Sequence, residues 1–133
     1  MISDHFKKMF EAAKKAREQA HVPYSKFKVG AAILTDDNMI ITGCNVENAA
    51  YPQSQCAEAS AIGSMVSQGF KTIKEMLVMG SGDLLCSPCG GCRQRIREFA
   101  SLKIQIHMCS VEKHIKTSTL EELLPDSFGP ENL

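Results

Sequence analysis

The chain has 133 residues, 44% of them hydrophobic and 23% charged, and its 15 Lys and Arg are balanced by 15 Asp and Glu. That length suits one domain spanning residues 1–133, able to bury roughly two-thirds of the surface its unfolded form exposes without disulfide staples. The zero charge balance argues against polymeric nucleic acid or an anionic membrane surface as partner, and no apolar run approaches the roughly 20 residues of a membrane-spanning helix.

The N-terminus, Met1 to Arg17, mixes Lys, Glu and Asp with apolar residues and lacks the apolar core of a signal peptide. A cytoplasmic protein is the expectation. In that compartment the six cysteines are reduced, so their spacing is read for metal or catalysis.

Ser3 or Asp4 is the expected cap of a first helix, in which Phe6, Met9, Phe10, Ala13, Ala16 and Ala20 recur at helical period. Residues 21–26, with Pro23 and Ser25, read as a loop. The apolar runs 27–34 and 39–44, separated by a polar turn at 35–38, read as a hairpin, with Phe27 in its first strand. Residues 45–55 are polar and aperiodic, a loop. A second helix is expected from Cys56 to a natural C-terminal cap at Gly69, then a short strand at 76–79. A third helix covers 92–99, a strand 104–109 and a short last helix 118–124, before a tail holding Phe128, Gly129 and Pro130. Helices alternate with strands in the second half, which predicts an α/β class with a mixed sheet sandwiched by helices.

The strongest chemical signal is Cys56-Ala57-Glu58 followed, after a helix and a strand, by Pro88-Cys89-Gly90-Gly91-Cys92. Zinc prefers thiolate and imidazole donors, and a catalytic zinc keeps three protein ligands and one open position. Cys56, Cys89 and Cys92 supply that count. Cys56 and Cys89 fall where helices begin, where backbone N–H groups favour the thiolate. Glu58, two residues past the first thiol, suits a carboxylate that moves protons to and from an activated water without binding the metal. Competing readings are a closed structural zinc site with Cys86 as fourth ligand, or simply buried thiols. Cys44 and Cys109 lie in apolar strands and read as inert core cysteines. The four histidines, His5, His21, His107 and His114, show no ligand spacing and read as surface or packing residues.

The C-x-E and P-C-x-x-C pair is similar to the signature of the zinc deaminases. Nearly end to end, the chain resembles the small homotetrameric cytidine deaminases: Pro23-Tyr24-Ser25-Lys26-Phe27-Lys28-Val29-Gly30-Ala31-Ala32 resembles that family's P-Y-S-x-F-x-V-G-A-A, residues 43–49 its G-x-N-x-E-N-A, and Phe128-Gly129-Pro130 its F-G-P. The resemblance implies a three-layer α-β-α sandwich with about five strands. It also implies a Zn²⁺ cofactor and hydrolysis of cytidine or deoxycytidine to the uridine and ammonia, in pyrimidine salvage. Asn45 and Glu47 are then expected to bind the ribose 3′-hydroxyl, Phe27 to lie on the pyrimidine, and the backbone around Ala57 to hold base polar groups. Tyr51 lines the site or a subunit contact, and Phe128 reaches into a neighbouring subunit's site. The partners implied are a free nucleoside and other copies of the chain, with no nucleic acid polymer and no membrane. A blasticidin-type analogue deaminase and a non-catalytic zinc-binding module are the alternatives.

One position departs from the resemblance. Three-cysteine members usually carry Arg directly after the Glu, where this chain has Ala59. Three thiolates on Zn²⁺ leave a surplus negative charge, so Ala59 predicts a slower or differently tuned enzyme, not an inactive one, unless helix N-termini or another cation compensate. Arg93 is the nearest in sequence.

Overall fold

The computed structural model describes residues 3–133. In chain order the elements are α1 (Phe6–Glu18), β1 (Gly30–Thr35), β2 (Ile40–Cys44), α2 (Ala57–Ser67), β3 (Ile73–Met79), α3 (Gly90–Phe99), β4 (Gln105–Cys109), β5 (His114–Thr119) and α4 (Leu120–Leu123). The strands form one mixed sheet in the order β2-β1-β3-β4-β5, with β3 and β4 parallel and the other neighbours antiparallel. No helix among the described residues is long and apolar enough to cross a membrane.

The central strands are apolar on both faces because helices cover both. Side chains alternate across a strand, so Ala31, Ile33, Met76 and Val78 pack with Ala57, Ala61, Met65 and Ile96 on one side. Ala32, Leu34, Leu77 and Met79 pack with Met9 and Ala13 of α1 on the other. This is the expected α-β-α sandwich.

Three local expectations change. The first helix has His5, not Ser3 or Asp4, at its N-cap, with no side-chain cap. Phe27 precedes the strand instead of lying in it. The Asn45 side chain accepts from the Val29 N–H (2.9 Å) and donates to the Phe27 carbonyl (2.8 Å), engaging backbone that a neighbouring strand would otherwise pair. A fifth strand, β5, takes residues 114–117, for which no element is expected, together with Ser118 and Thr119 from the start of the expected last helix; that helix is shortened to four residues, capped by reciprocal Thr119–Glu122 bonds.

The register of the sheet gathers the functional segments. Gly30 pairs with Cys44 on one side and Met79 on the other. The start of β1 and the ends of β2 and β3 therefore share one edge of the sandwich. Segments 27–29, 45–47 and 80–88 emerge there, at the carboxyl end of a parallel strand pair, where open α/β sheets bind ligands.

Candidate active site

Cys56 and Cys89 are the N-cap residues of α2 and α3, each with extended backbone. The Cys56 carbonyl accepts from Ser60 N–H and the Cys89 carbonyl from Arg93 N–H, so each thiol projects from a first helical turn. Helix α2 is held close to the sheet by Gly43: a Cβ there would lie 2.4 Å from Ala61 N and 2.6 Å from Ala57 O. Cys92, in the first turn of α3, is buried, whereas Cys56 and Cys89 are exposed.

The three ligand atoms lie within 4.8 Å of one another, and Cys86 is not in the cluster. The Cys56 and Cys89 sulfurs are 4.0 Å apart. Tetrahedral zinc with Zn–S bonds of about 2.3 Å needs sulfurs about 3.8 Å apart, so the donor set fits zinc in both chemistry and spacing. Among the described residues the cluster holds three thiols, the ligand count that suits a catalytic zinc with one open position and not a closed four-ligand structural site. A hydrogen bond from Cys92, then one from Cys89 and the charge of Arg95, bring the Cys56 thiol down to about 6 against the pull of burial. Cys92, the donor in that pair, is pushed up.

Glu58 lies in the first turn of α2 and is only 4% exposed. Burial, reinforced by the nearby Cys56 thiolate, raises its carboxyl to about 7. That makes it a group able to accept and return a proton near neutrality.

Cys56, Ala57, Glu58, Cys89 and Asn45 line one cavity of about 150 Å³ with Val29, Cys86 and Ser87. A larger one of about 770 Å³ shares Cys86 and Ser87 and is lined by Phe27 and residues 81–85. Glu47 and Tyr51 do not join this group; they line a separate opening of about 390 Å³ with Tyr24, Ser25 and Ser54. Glu47 there accepts from the backbone N–H groups of Tyr24 (3.0 Å) and Ser25 (3.1 Å) and from the Ser25 hydroxyl. The Ser25 hydroxyl bond, the largest influence, holds its carboxyl below the usual range. Phe128 is exposed in the tail and lines neither cavity, though its carbonyl accepts from Gln94 (2.9 Å).

Arg93, the cation nearest Cys92 in sequence, does not compensate the thiolates. Its guanidinium donates to the Pro88 carbonyl (2.7 Å), the Leu123 carbonyl (2.6 Å) and Ser87 Oγ (3.2 Å), fixing the loop before Cys89. The side chain that reaches sulfur is Arg95, which sequence reading passed over; Nη1 donates to Cys92 Sγ at 3.8 Å. The available signal was its i+3 spacing from Cys92, which puts two residues on one helix face.

A mixed sheet between helices, three thiols clustered at two helix starts and a buried carboxyl beside them suit a zinc-dependent hydrolase of the deaminase type. The model for the cytidine and deoxycytidylate deaminase zinc-binding region matches residues 3–108, and the chain belongs to that family. It is 44% identical over 126 residues to the cytidine deaminase of Sporosarcina psychrophila, covering 95% of this chain and 93% of that one. It is 36% identical over 125 residues to the cytidine deaminase of Halalkalibacterium halodurans, covering 94% and 95%. Among solved structures, the cytidine deaminase of Burkholderia pseudomallei superposes with a TM-score of 0.87 at 37% identity, covering 96% of this chain and all of that one (100%). These relatives are named as deaminases of cytidine, not of a blasticidin-type analogue.

Proposed function

We propose that this chain, acting as one domain, hydrolyses cytidine and deoxycytidine to the corresponding uridines with release of ammonia. The observation that carries this reading is the buried Glu58 carboxyl sharing a cavity with Cys56 and Cys89.

In this reading Cys56, Cys89 and Cys92 hold zinc, which when bound polarises water and lowers its pKa towards neutrality. Glu58 takes a proton from the attacking water and delivers it to ring N3; after attack at C4 it takes the remaining proton from the new C4 hydroxyl and passes it to the amine, which departs as ammonia as the C4–N bond breaks and the carbonyl forms. Its raised affinity for protons supports both halves of that transfer. The confined wall formed by Val29, Ala57 and Cys86 limits bulk water around the base, and backbone groups at Ala57 hold its polar edge.

Asn45 and Glu47 contribute the ribose contacts. Both already brace the 24–29 segment that carries Phe27, so each supports the base-binding wall as well as the sugar. Phe27 covers the pyrimidine. We infer a homotetramer in which Phe128, and Tyr51 at the neighbouring opening, complete sites across subunit contacts; their 57% and 70% exposure in the single chain supports this. A cytoplasmic role in pyrimidine salvage agrees with six unpaired cysteines.

The test follows the loss of cytidine ultraviolet absorbance by zinc-loaded protein. Wild type turns substrate over, while Glu58→Gln keeps its zinc and loses roughly 10²–10⁴-fold in rate. A fully zinc-loaded wild type inert towards every cytosine nucleoside would falsify the enzyme reading.

A further inference from the structure

Three arginines follow Cys92 on α3, and they serve different ends. Arg93 clamps the Pro88 and Leu123 carbonyls. Arg97 is buried and holds the C-terminal tail through Ser127 Oγ (2.9 Å) and Glu131. Arg95 alone of the three ends on sulfur, 3.8 Å from Cys92 Sγ. Its Nη1 lies where a Cβ on Gly91 would come within 3.1 Å, so the glycine leaves the guanidinium room beside the ligand cluster.

The charge at this cluster needs a partner. Three thiolates and one Zn²⁺ sum to a single negative charge, next to a buried carboxyl. Anionic sulfur accepts charge-assisted hydrogen bonds, and helix starts supply only partial positive charge. We propose that Arg95 is a positioning residue of the metal centre: its N–H···S bond fixes the Cys92 sulfur, and its charge offsets the surplus of a three-thiolate zinc site. The inference rests on the zinc reading above. It gives the chain a resident cation at the cluster in spite of Ala59.

Arg95 is itself exposed, so its contribution is screened by solvent and salt. That exposure supplies the discriminating signature. Zinc-loaded wild type, Arg95→Gln, Arg95→Met and Arg95→Lys are compared for release of zinc to a chromogenic chelator at one pH. Their cobalt-substituted forms are compared by the sulfur-to-cobalt charge-transfer band. A hydrogen bond to a charged acceptor, discounted for exposure, predicts roughly three- to tenfold faster zinc release in Arg95→Gln and Arg95→Met. kcat falls by a similar factor while KM stays within about twofold, because Arg95 acts through the ligand and not on the substrate. The cobalt band shifts in both neutral variants, and Arg95→Lys falls between them and wild type. The differences shrink in about 1 M salt, where the Debye length is about 3 Å.

Wild-type zinc release in both neutral variants overturns the inference. So does an increase that salt leaves unchanged, since that marks a packing effect. Should Arg95→Met not fold, Arg95→Gln and Arg95→Lys decide by the same salt test. A wild type without turnover overturns the deaminase reading instead, and leaves the zinc-release comparison to decide Arg95.

Discussion

Gly43 of β2 lies so close to Ala61 of α2 that a side chain has no space between them: a Cβ on Gly43 would sit 2.4 Å from Ala61 N. The obstacle is helix backbone, which cannot swing aside as a side-chain tip can. Helix α2 is capped by Cys56 and carries Glu58, so this contact sets the depth of the proposed ligand and of the proposed proton carrier. Gly43→Ala should cost about 1–3 kcal/mol of stability, the range for overpacking a well-filled interior. Displacement of Cys56 should also lower zinc occupancy. Denaturant midpoints with metal analysis check both, and a stable variant with full zinc would show that α2 tolerates the shift.

Metal removal should reveal how far the cluster supports the fold. A ligand that binds only the folded state stabilises it by mass action, and these thiols come from two separate segments, 56 and 89–92. Prolonged chelation should abolish turnover and lower Tm, and added zinc should restore both. Cys89→Ala should reproduce the chelated state, whereas Cys86→Ala should keep zinc, because Cys86 lies outside the cluster.

The metal cluster was legible in the sequence because its chemistry resides in residue identity and spacing. Cys-x-Glu at one helix start and Pro-Cys-x-x-Cys at another name the three thiols that the fold brings within 4.8 Å and the buried carboxyl beside them without any knowledge of packing. Strand β5 was not legible. It is an edge strand with polar residues such as Lys116, Thr117 and Thr119, and one solvated side removes the apolar run that marks a central strand. His107 read as a packing residue, and it is fully buried; its partners could not be read. Nε2 meets Glu75 (2.8 Å) and Nδ1 meets Thr117 Oγ1 (2.7 Å), across strand pairings that only the folded sheet creates. Arg95 is not singled out by the sequence, because three arginines stand within five residues and only the geometry separates their tasks.

The C-terminal tail should respond as a unit. Gly129 permits the close approach of Arg97, since a Cβ there would lie 2.4 Å from the guanidinium carbon. Gly129→Ala should therefore push the tail from α3, loosening the Arg97 contacts to Ser127 and Glu131. Limited proteolysis should cut the variant's tail faster than that of wild type. If Phe128 completes a neighbour's site, KM for cytidine should rise severalfold while zinc content stays unchanged. An unchanged KM with a clipped or mobile tail would argue against that role.

Two sets of groups should lose their stabilisation as pH falls. Burial, then the His107 charge, hold His114 below its ordinary value of 6.5. The unfolded chain binds that proton more readily, so stability falls as pH drops from about 6.5 through the lowered value. The Ser25 hydroxyl holds Glu47, the Thr119 N–H Glu122, and its own N–H together with Arg97 Glu131, all below an ordinary value of 4.5. Their stabilisation is complete above that value and is lost as pH falls through the lowered ones. Glu58, raised to about 7, works the other way between about 7 and 4.5, because there the folded chain binds its proton first, so Tm should fall steeply only below about 4.5. The His114 contribution is read as a difference: His114→Gln should lose less stability than wild type just below about pH 6.5, and a profile identical to wild type would exclude His114 as a contributor.

Ala59 and Arg95 should be energetically coupled. Ala59 stands three residues after Cys56, and Arg95 three after Cys92, so each occupies the position from which a side chain returns towards a thiol at an adjacent turn. A guanidinium introduced at 59 opposes the helix dipole of α2, an unfavourable effect of about 0.3–1 kcal/mol. In wild type, where Arg95 already offsets the thiolate charge, Ala59→Arg should gain little and turnover should change less than about threefold. In the Arg95→Gln background the same substitution should recover most of the lost zinc retention and kcat, because it supplies the missing charge to the same cluster. A double-mutant cycle on zinc-release rates measures this directly. Strictly additive effects would mean that the two positions act on separate features, and that the charge at the thiolates is balanced by something other than Arg95.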